Sequence, residues 1–181
     1  MRWVILLCLA AGLVACGGQT ATDASPCPSA APSPLPTGPF DDDPELAGRL
    51  PTEVDGQELE VQSVCVTTVS PGGINLSPTF LEAAGVELSD VTMAVSQPPA
   101  IGEDAPFVSI SAFRYRGADE AALRSAVDAT LADAEIEPER ETIAGKEVLR
   151  VLLVVWYVAG DTLYLITGED PQVEDVLTEL P

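Results

Sequence analysis

Residues 148–167 read VLRVLLVVWYVAGDTLYLIT, and the conformation of this stretch decides the fold. From Leu149 to Val158 apolar side chains fall on both parities, so a strand made of them would leave neither face to water. Valine, tryptophan and tyrosine suit a pleated, packed surface. Gly160-Asp161 supplies a two-residue turn, and Thr162 to Thr167 returns beside the first segment. The pattern predicts a strand buried on both faces near the centre of a sheet. The apolar run Val148–Ala159 is 12 residues long and contains Arg150. It is too short for a membrane span, which needs roughly 20.

On either side, turn and cap residues punctuate shorter elements. Thr142-Ile143 and Glu147-Val148 flank Ala144-Gly145, and Thr52-Glu53-Val54 and Glu58-Leu59-Glu60-Val61 flank Asp55-Gly56. Asp-Gly is a hairpin signal because both central residues of the tight turn need positive φ. The second of these strands is expected to run on to about Val69. Asp43 is placed to cap a turn of helix opened by Pro44, and Ser77 to cap a helix that starts at Pro78 and stops at Gly85. Phe80, Leu81 and Ala84 are its expected buried face. Val91, Met93 and Val95 alternate as a strand, Gln97 to Pro106 is a proline-containing loop, and Phe107 to Tyr115 is a further strand. A longer helix begins at Asp119-Glu120, with Leu123, Val127, Leu131 and Ala134 on one stripe. Asp170 is expected to cap a last helix carrying Val173, Val176, Leu177 and Leu180. The fold class is α+β: an antiparallel sheet with helices packed on one face. Thr52–Leu59 and Glu141–Val148 share the frame Val/Ile-x-Gly-x-Glu-Leu/Val, which suggests a degenerate, duplicated hairpin–strand–helix unit.

Composition removes several functions. The 181 residues hold 8 Lys plus Arg against 29 Asp plus Glu, a formal charge of −21. Nucleic acid is excluded as a partner, because its binding depends on cations that displace counterions. The same charge disfavours docking on anionic lipid. Histidine is absent altogether, which removes Ser–His and Cys–His nucleophile pairs and imidazole metal sites. No metal or cofactor is expected. Asp41-Asp42-Asp43 lacks the spaced ligands, glycine and final glutamate of a calcium loop.

The first sixteen residues read MRWVILLCLAAGLVAC. Arg2 is a short positive region, Trp3 to Val14 an apolar run of 12 residues, and Leu13-Val14-Ala15-Cys16 closes it. This ending resembles the lipobox of bacterial prolipoproteins. The resemblance implies cleavage between Ala15 and Cys16, a diacylglycerol on the Cys16 sulfur, and a place on the extracytoplasmic face of the cell membrane. Residues 1–15 are then a signal peptide, 16–43 the lipidated cysteine and a linker, and 44–181 one α+β domain. Without residues 1–15 the charge is −22, one arginine being lost and no acid. The linker stretch Gly17–Pro39, GGQTATDASPCPSAAPSPLPTGP, offers no apolar periodicity to offset its ordering entropy, and its prolines bias it to extended polyproline II. Cys8 leaves with the signal peptide and Cys16 carries lipid, so Cys27 and Cys65 remain in a compartment that permits disulfides. Two left over suggest one bridge. The alternative is a buried Cys65 thiol and a free Cys27.

Leu50–Gly56 reads LPTEVDG after the proline-rich spacer, which is similar to exported lipoproteins of high-GC bacteria and implies no activity. No catalytic motif stands out. Paired carboxylates (Glu58 and Glu60, Asp133 and Glu135, Glu169 and Asp170) sit at turns, strand exteriors and helix ends. Arg114 and Arg116 are the one local positive pair, on one face of a strand. They could receive an anion or a partner's acidic loop, or neutralise neighbouring acids. Trp156, Tyr157 and Tyr164 could line a ligand surface or pack a core. The expected role is a non-enzymatic binding or envelope-associated domain. One alternative is a carboxylate-dependent hydrolase of envelope polymers, which requires two facing acids, one with a raised pKa. The other is a small-ligand carrier with an internal cavity of about 300 Å³ or more.

Overall fold

A computed structural model of the chain describes residues 42–68, 73–99 and 107–181. Cys16 and Cys27, the signal peptide, the linker up to residue 41 and most of the loop that follows Gln97 lie outside the described residues.

The long apolar stretch forms two strands of three that lie together. β7 (Lys146–Val151) turns through Leu152-Leu153 into β8 (Val154–Ala159), which returns as β9 (Thr162–Thr167). The expected single strand over 149–158 is therefore corrected to a hairpin. Its turn contains no glycine, asparagine or proline to announce it; instead Leu152 takes φ +57°, a region that costs an L-residue about 1–2 kcal/mol. Upstream, β1 (Glu53–Val54) and β2 (Gln57–Glu58) close around Asp55-Gly56, with φ +50° and +76°. β6 (Glu139–Ile143) and β7 close around Ala144-Gly145 with φ +50° and +77°, so the two predicted turns share one geometry. β3 (Glu60–Cys65) is shorter than expected: a 3₁₀ turn replaces the strand at Val66–Thr68. β4 (Val91–Gln97) and β5 (Ser109–Tyr115) complete the set.

Seven strands form one antiparallel sheet in the order β3-β4-β5-β9-β8-β7-β6, while β1 and β2 pair only with each other. The α+β class and the antiparallel sheet are as the sequence predicts. The placement of helices is not. Ala112, Tyr157, Tyr164 and Ile166 belong to one apolar cluster; Phe113, Trp156, Val158 and Leu163 belong to another. Strand alternation sends these two sets to opposite faces. The first face is covered by α1 (Pro44–Ala47), the β1–β2 hairpin and α4 (Asp170–Glu179), through Leu46, Leu50, Val54, Val173, Val176 and Leu177. The second is covered by α2 (Pro78–Ala84) and α3 (Glu120–Asp133), through Phe80, Leu81, Leu123, Val127 and Leu131. Helices thus pack on both faces.

The reason lies in small polar residues that look solvent-facing in the sequence. Ser63, Thr92 and Ser96 are fully buried beneath the first layer. Each hydroxyl has a partner there: the Asp43 amide donates to Ser63 Oγ (3.0 Å), Thr92 Oγ1 donates to Asp43 Oδ2 (2.6 Å), and Ser96 Oγ donates to the Pro51 carbonyl (2.7 Å). Satisfied hydroxyls can be buried at little net cost.

The duplication is not carried by the fold either. β5 and β9 lie side by side and antiparallel. A two-fold axis relating them must be normal to the sheet and would leave the helices that follow on the same face. α3 and α4 are on opposite faces, and the first hairpin stands apart from the sheet that contains the second.

Caps behave as the sequence predicts, with two shifts. Ser77 accepts from the Phe80 amide, and Gly85 ends α2 at φ +73°. Asp119 caps α3, whose buried stripe includes Ala126 and Thr130, whereas Ala134 is exposed. Glu169, one residue before Asp170, caps α4 in a reciprocal box with Gln172. The body also starts before Pro44: the Asp42 amide donates to the Ser63 carbonyl, and Asp42 Oδ2 accepts from the Cys65 amide.

The register gives the sheet two distinct ends. Cys65, Thr92, Arg114, Thr162 and Ala159 align at the α1 end, and Glu60, Gln97, Ser109, Thr167 and Val154 align at the opposite end.

Candidate functional site

Three features of the surface bear on function: an ionic knot at the α1 end, a groove on the second face, and an apolar tip at the opposite end.

The knot is built around Asp43, whose side chain is buried. Asp43 accepts from the Leu46 amide (3.0 Å), from Thr92 Oγ1 and from Arg116 Nη2 (2.9 Å). Arg114 lies 3.6 Å from the same carboxylate, donates through Nε to Asp161 (2.9 Å) and through Nη1 to Glu45 (3.0 Å). Burial pushes the Asp43 carboxyl up, but the Thr92 hydroxyl, the Leu46 amide and the two guanidiniums outweigh it and hold the group below the ordinary carboxylate value. Burial disfavours the charged Arg114, and hydrogen bonds to Asp161 and Glu45 reverse that effect, so its pKa is raised. The arginine pair proposed as an anion or partner contact therefore sits on acids of its own chain. A foreign anion would have to displace a buried carboxylate engaged by four groups, the Leu46 amide, the Thr92 hydroxyl, Arg116 and Arg114.

Cys65 lies at the end of β3 in this same region. It is buried and disulfide-bonded, and its partner is outside the described residues.

The groove lies between α3 and β6–β8 and encloses about 420 Å³. Val127, Leu149, Trp156 and Val158 form its apolar lining, with Arg124 and Arg140 among its charged groups. Both arginines are engaged: Arg124 with Glu120 (2.9 Å) and the Val158 carbonyl (3.1 Å), Arg140 with Asp128 (2.8 Å). The volume falls within the range of small-molecule sites, but the space is an open groove and not an internal cavity. Trp156 and Tyr157 are mostly buried and Tyr164 wholly so; they serve the core. Tyr157 and Tyr164 stack with ring centroids 5.9 Å apart. Lys146, the only lysine, lies 5.2 Å above the Tyr157 ring and donates to the Leu180 and Pro181 oxygens, which pins the end of α4.

The described carboxylates that the fold perturbs are all displaced downward. Besides Asp43 these are Glu45, through hydrogen bonds from Arg114 and Arg49; Glu120, through the Gly160 amide and Arg124; and Glu141, through Arg150. Each stays ionised at neutral pH, so none of the four can donate a proton there. Among the described residues no group of three or more His, Cys, Asp or Glu is arranged to hold a metal ion.

The tip is the feature that sequence reading missed. Leu152 and Leu153 are 89% and 80% exposed, and Phe107 is 42% exposed at the same end of the sheet. Ser109, Thr167 and Val154 form one row of about 10 Å, two strand spacings, across β5, β9 and β8; Phe107 precedes that row and the leucine turn adjoins it. The signal was present in the sequence as an apolar run too long to be one strand without a turn inside it.

Comparison with protein-family models, with curated proteins and with solved structures finds no match to this chain.

Proposed function

We propose that this chain is an extracytoplasmic lipoprotein, held to the cell membrane through a lipid on Cys16, whose domain is a non-enzymatic binding module. The observation that carries the reading is Leu13-Val14-Ala15-Cys16 placed directly after a 12-residue apolar run. Two further facts support it. A disulfide at Cys65 suits an oxidising compartment. Once Cys8 is removed and Cys16 acylated, Cys27 is the cysteine left to bond it. A body of charge −22 needs a covalent tether to stay on anionic lipid.

The non-enzymatic part rests on the site chemistry. The perturbed carboxylates are locked in ion pairs and hydrogen bonds, and the two most exposed large apolar side chains among the described residues, Leu152 and Leu153, share one turn. A small-ligand role has one observation in its favour, the groove floored by Trp156 and Leu149. It is tested by titrating apolar dyes and following Trp156 emission.

The anchor is tested by fractionating cells that express the full chain or its Cys16→Ser variant. The parent is expected in the membrane pellet through salt and alkaline washes. The variant is expected to keep residues 1–15. A variant processed and pelleted like the parent refutes the reading.

A further inference from the structure

We infer that the Leu152-Leu153 turn, with Phe107 at the same end of the sheet, dips into the bilayer to which the chain is tethered, as a second and weaker membrane contact. The inference rests on the anchored reading above.

The turn breaks two rules of stability at one place. Its first residue holds φ +57°, where glycine or asparagine is favoured. Both residues are large aliphatics left 89% and 80% exposed, where polar turn residues would serve the fold better. Local rules are broken in this way at functional sites.

The size of the patch selects the occupant. A specific protein partner or a second copy needs roughly 1,200–2,000 Å² of total buried surface, far beyond what three side chains at a strand end supply. Leucine is also under-represented among interface hot spots. Insertion in hydrocarbon needs neither area nor hydrogen-bond partners. Burying two leucines supports an affinity on the order of millimolar, useless in free solution. A short tether supplies an effective concentration that is itself on the order of millimolar. The chain from Cys16 to Asp42 can extend to roughly 80 Å at the polyproline rise. A six-residue strand is about 20 Å long, so the tether is long enough to bring the far end of the sheet to the lipid. Glu169 and Asp170 are exposed near that end, so the contact should favour zwitterionic over anionic lipid.

The test attaches residues 17–181 to phosphatidylcholine vesicles through an N-terminal hexahistidine tag and nickel-chelating lipid. The chain has no histidine of its own, so the tag alone sets attachment, whatever the fate of Cys16. Leu153→Trp places an indole on the tip, Phe107→Trp is a second probe of the same end, and Trp156 in the parent gives the baseline. Matched unfolding midpoints establish that the variants fold. With millimolar affinity meeting millimolar effective concentration, brominated phosphatidylcholine should remove about half of the added emission. Anionic phosphatidylglycerol should weaken that quenching at low salt. Added emission that stays solvent-like and unquenched on vesicles carrying the protein overturns the inference. So does a dimer lost in Leu152→Asn/Leu153→Ser, which would assign the tip to a second copy. Failure of the Cys16→Ser fractionation with quenching intact would instead refute only the native anchor.

Discussion

Replacing Asp43 with alanine probes the joint between the N-terminal segment and the sheet. The carboxylate caps α1 through the Leu46 amide, receives the Thr92 hydroxyl and lies against Arg116 and Arg114. Loss of a cap costs about 1 kcal/mol. Removing one partner of a buried ion pair costs about 3–5 kcal/mol. That figure needs reducing here, because both arginine side chains retain 16–18% exposure and Arg114 keeps Glu45 and Asp161. A net loss of about 3 kcal/mol follows, or a drop in Tm of about 10 °C for a domain of this size. Urea and thermal unfolding measure it. Asp43→Asn keeps a cap acceptor and loses the charge, so it should fall between parent and alanine. The pH dependence adds a second readout. The folded carboxyl titrates below its ordinary value near 3.9. Its contribution is therefore complete above that value and is lost as pH falls through the lower folded pKa. The acid limb of the stability curve should be steeper in the parent than in Asp43→Asn. An alanine variant within about 1 kcal/mol of the parent would refute this account of how the knot holds the first layer.

Other outcomes follow from single contacts. Leu152→Asn should raise stability by about 1 kcal/mol, because asparagine tolerates the left-handed region that leucine resists; an unfolding midpoint at or below the parent's contradicts the strain. Tyr115→Phe should lose about 1–3 kcal/mol by urea denaturation: the hydroxyl donates to the Asn75 carbonyl (2.9 Å) and accepts from Asn75 Nδ2 (3.2 Å), both residues being buried. With Cys27 as the partner of Cys65, reduction should cost about 4 kcal/mol by loop-closure entropy, and non-reducing peptide mapping should recover that pair.

Much of the fold was legible because its punctuation is local. Ser77, Pro78 and Gly85 bound α2, and Asp55-Gly56 and Ala144-Gly145 take the positive φ values that their turns demand. What escaped was set by tertiary partners. Thr92 and Ser96 look like the wet face of β4, and become core only because Asp43 and the Pro51 carbonyl meet their hydroxyls. With the apolar residues of β5, β8 and β9 on the same side, these hydroxyls complete a face that takes a second layer. Leu152-Leu153 reads as core by composition and is the most exposed apolar pair in the described chain. Periodicity cannot flag a turn made of residues that turns avoid. For the candidate sites, the arginine pair was visible as a charge cluster, but its partners were not: Asp43 and Asp161 lie far away in sequence from Arg116 and Arg114.

The most direct test of the account is the mass of the N-terminal peptide recovered from the native membrane protein after digestion. It should begin at Cys16 and carry the mass of a diacylglyceryl thioether, with residues 1–15 gone. An unacylated peptide, or one that begins at any other residue, would contradict the lipid tether on which both the proposed function and the membrane-dipping tip depend.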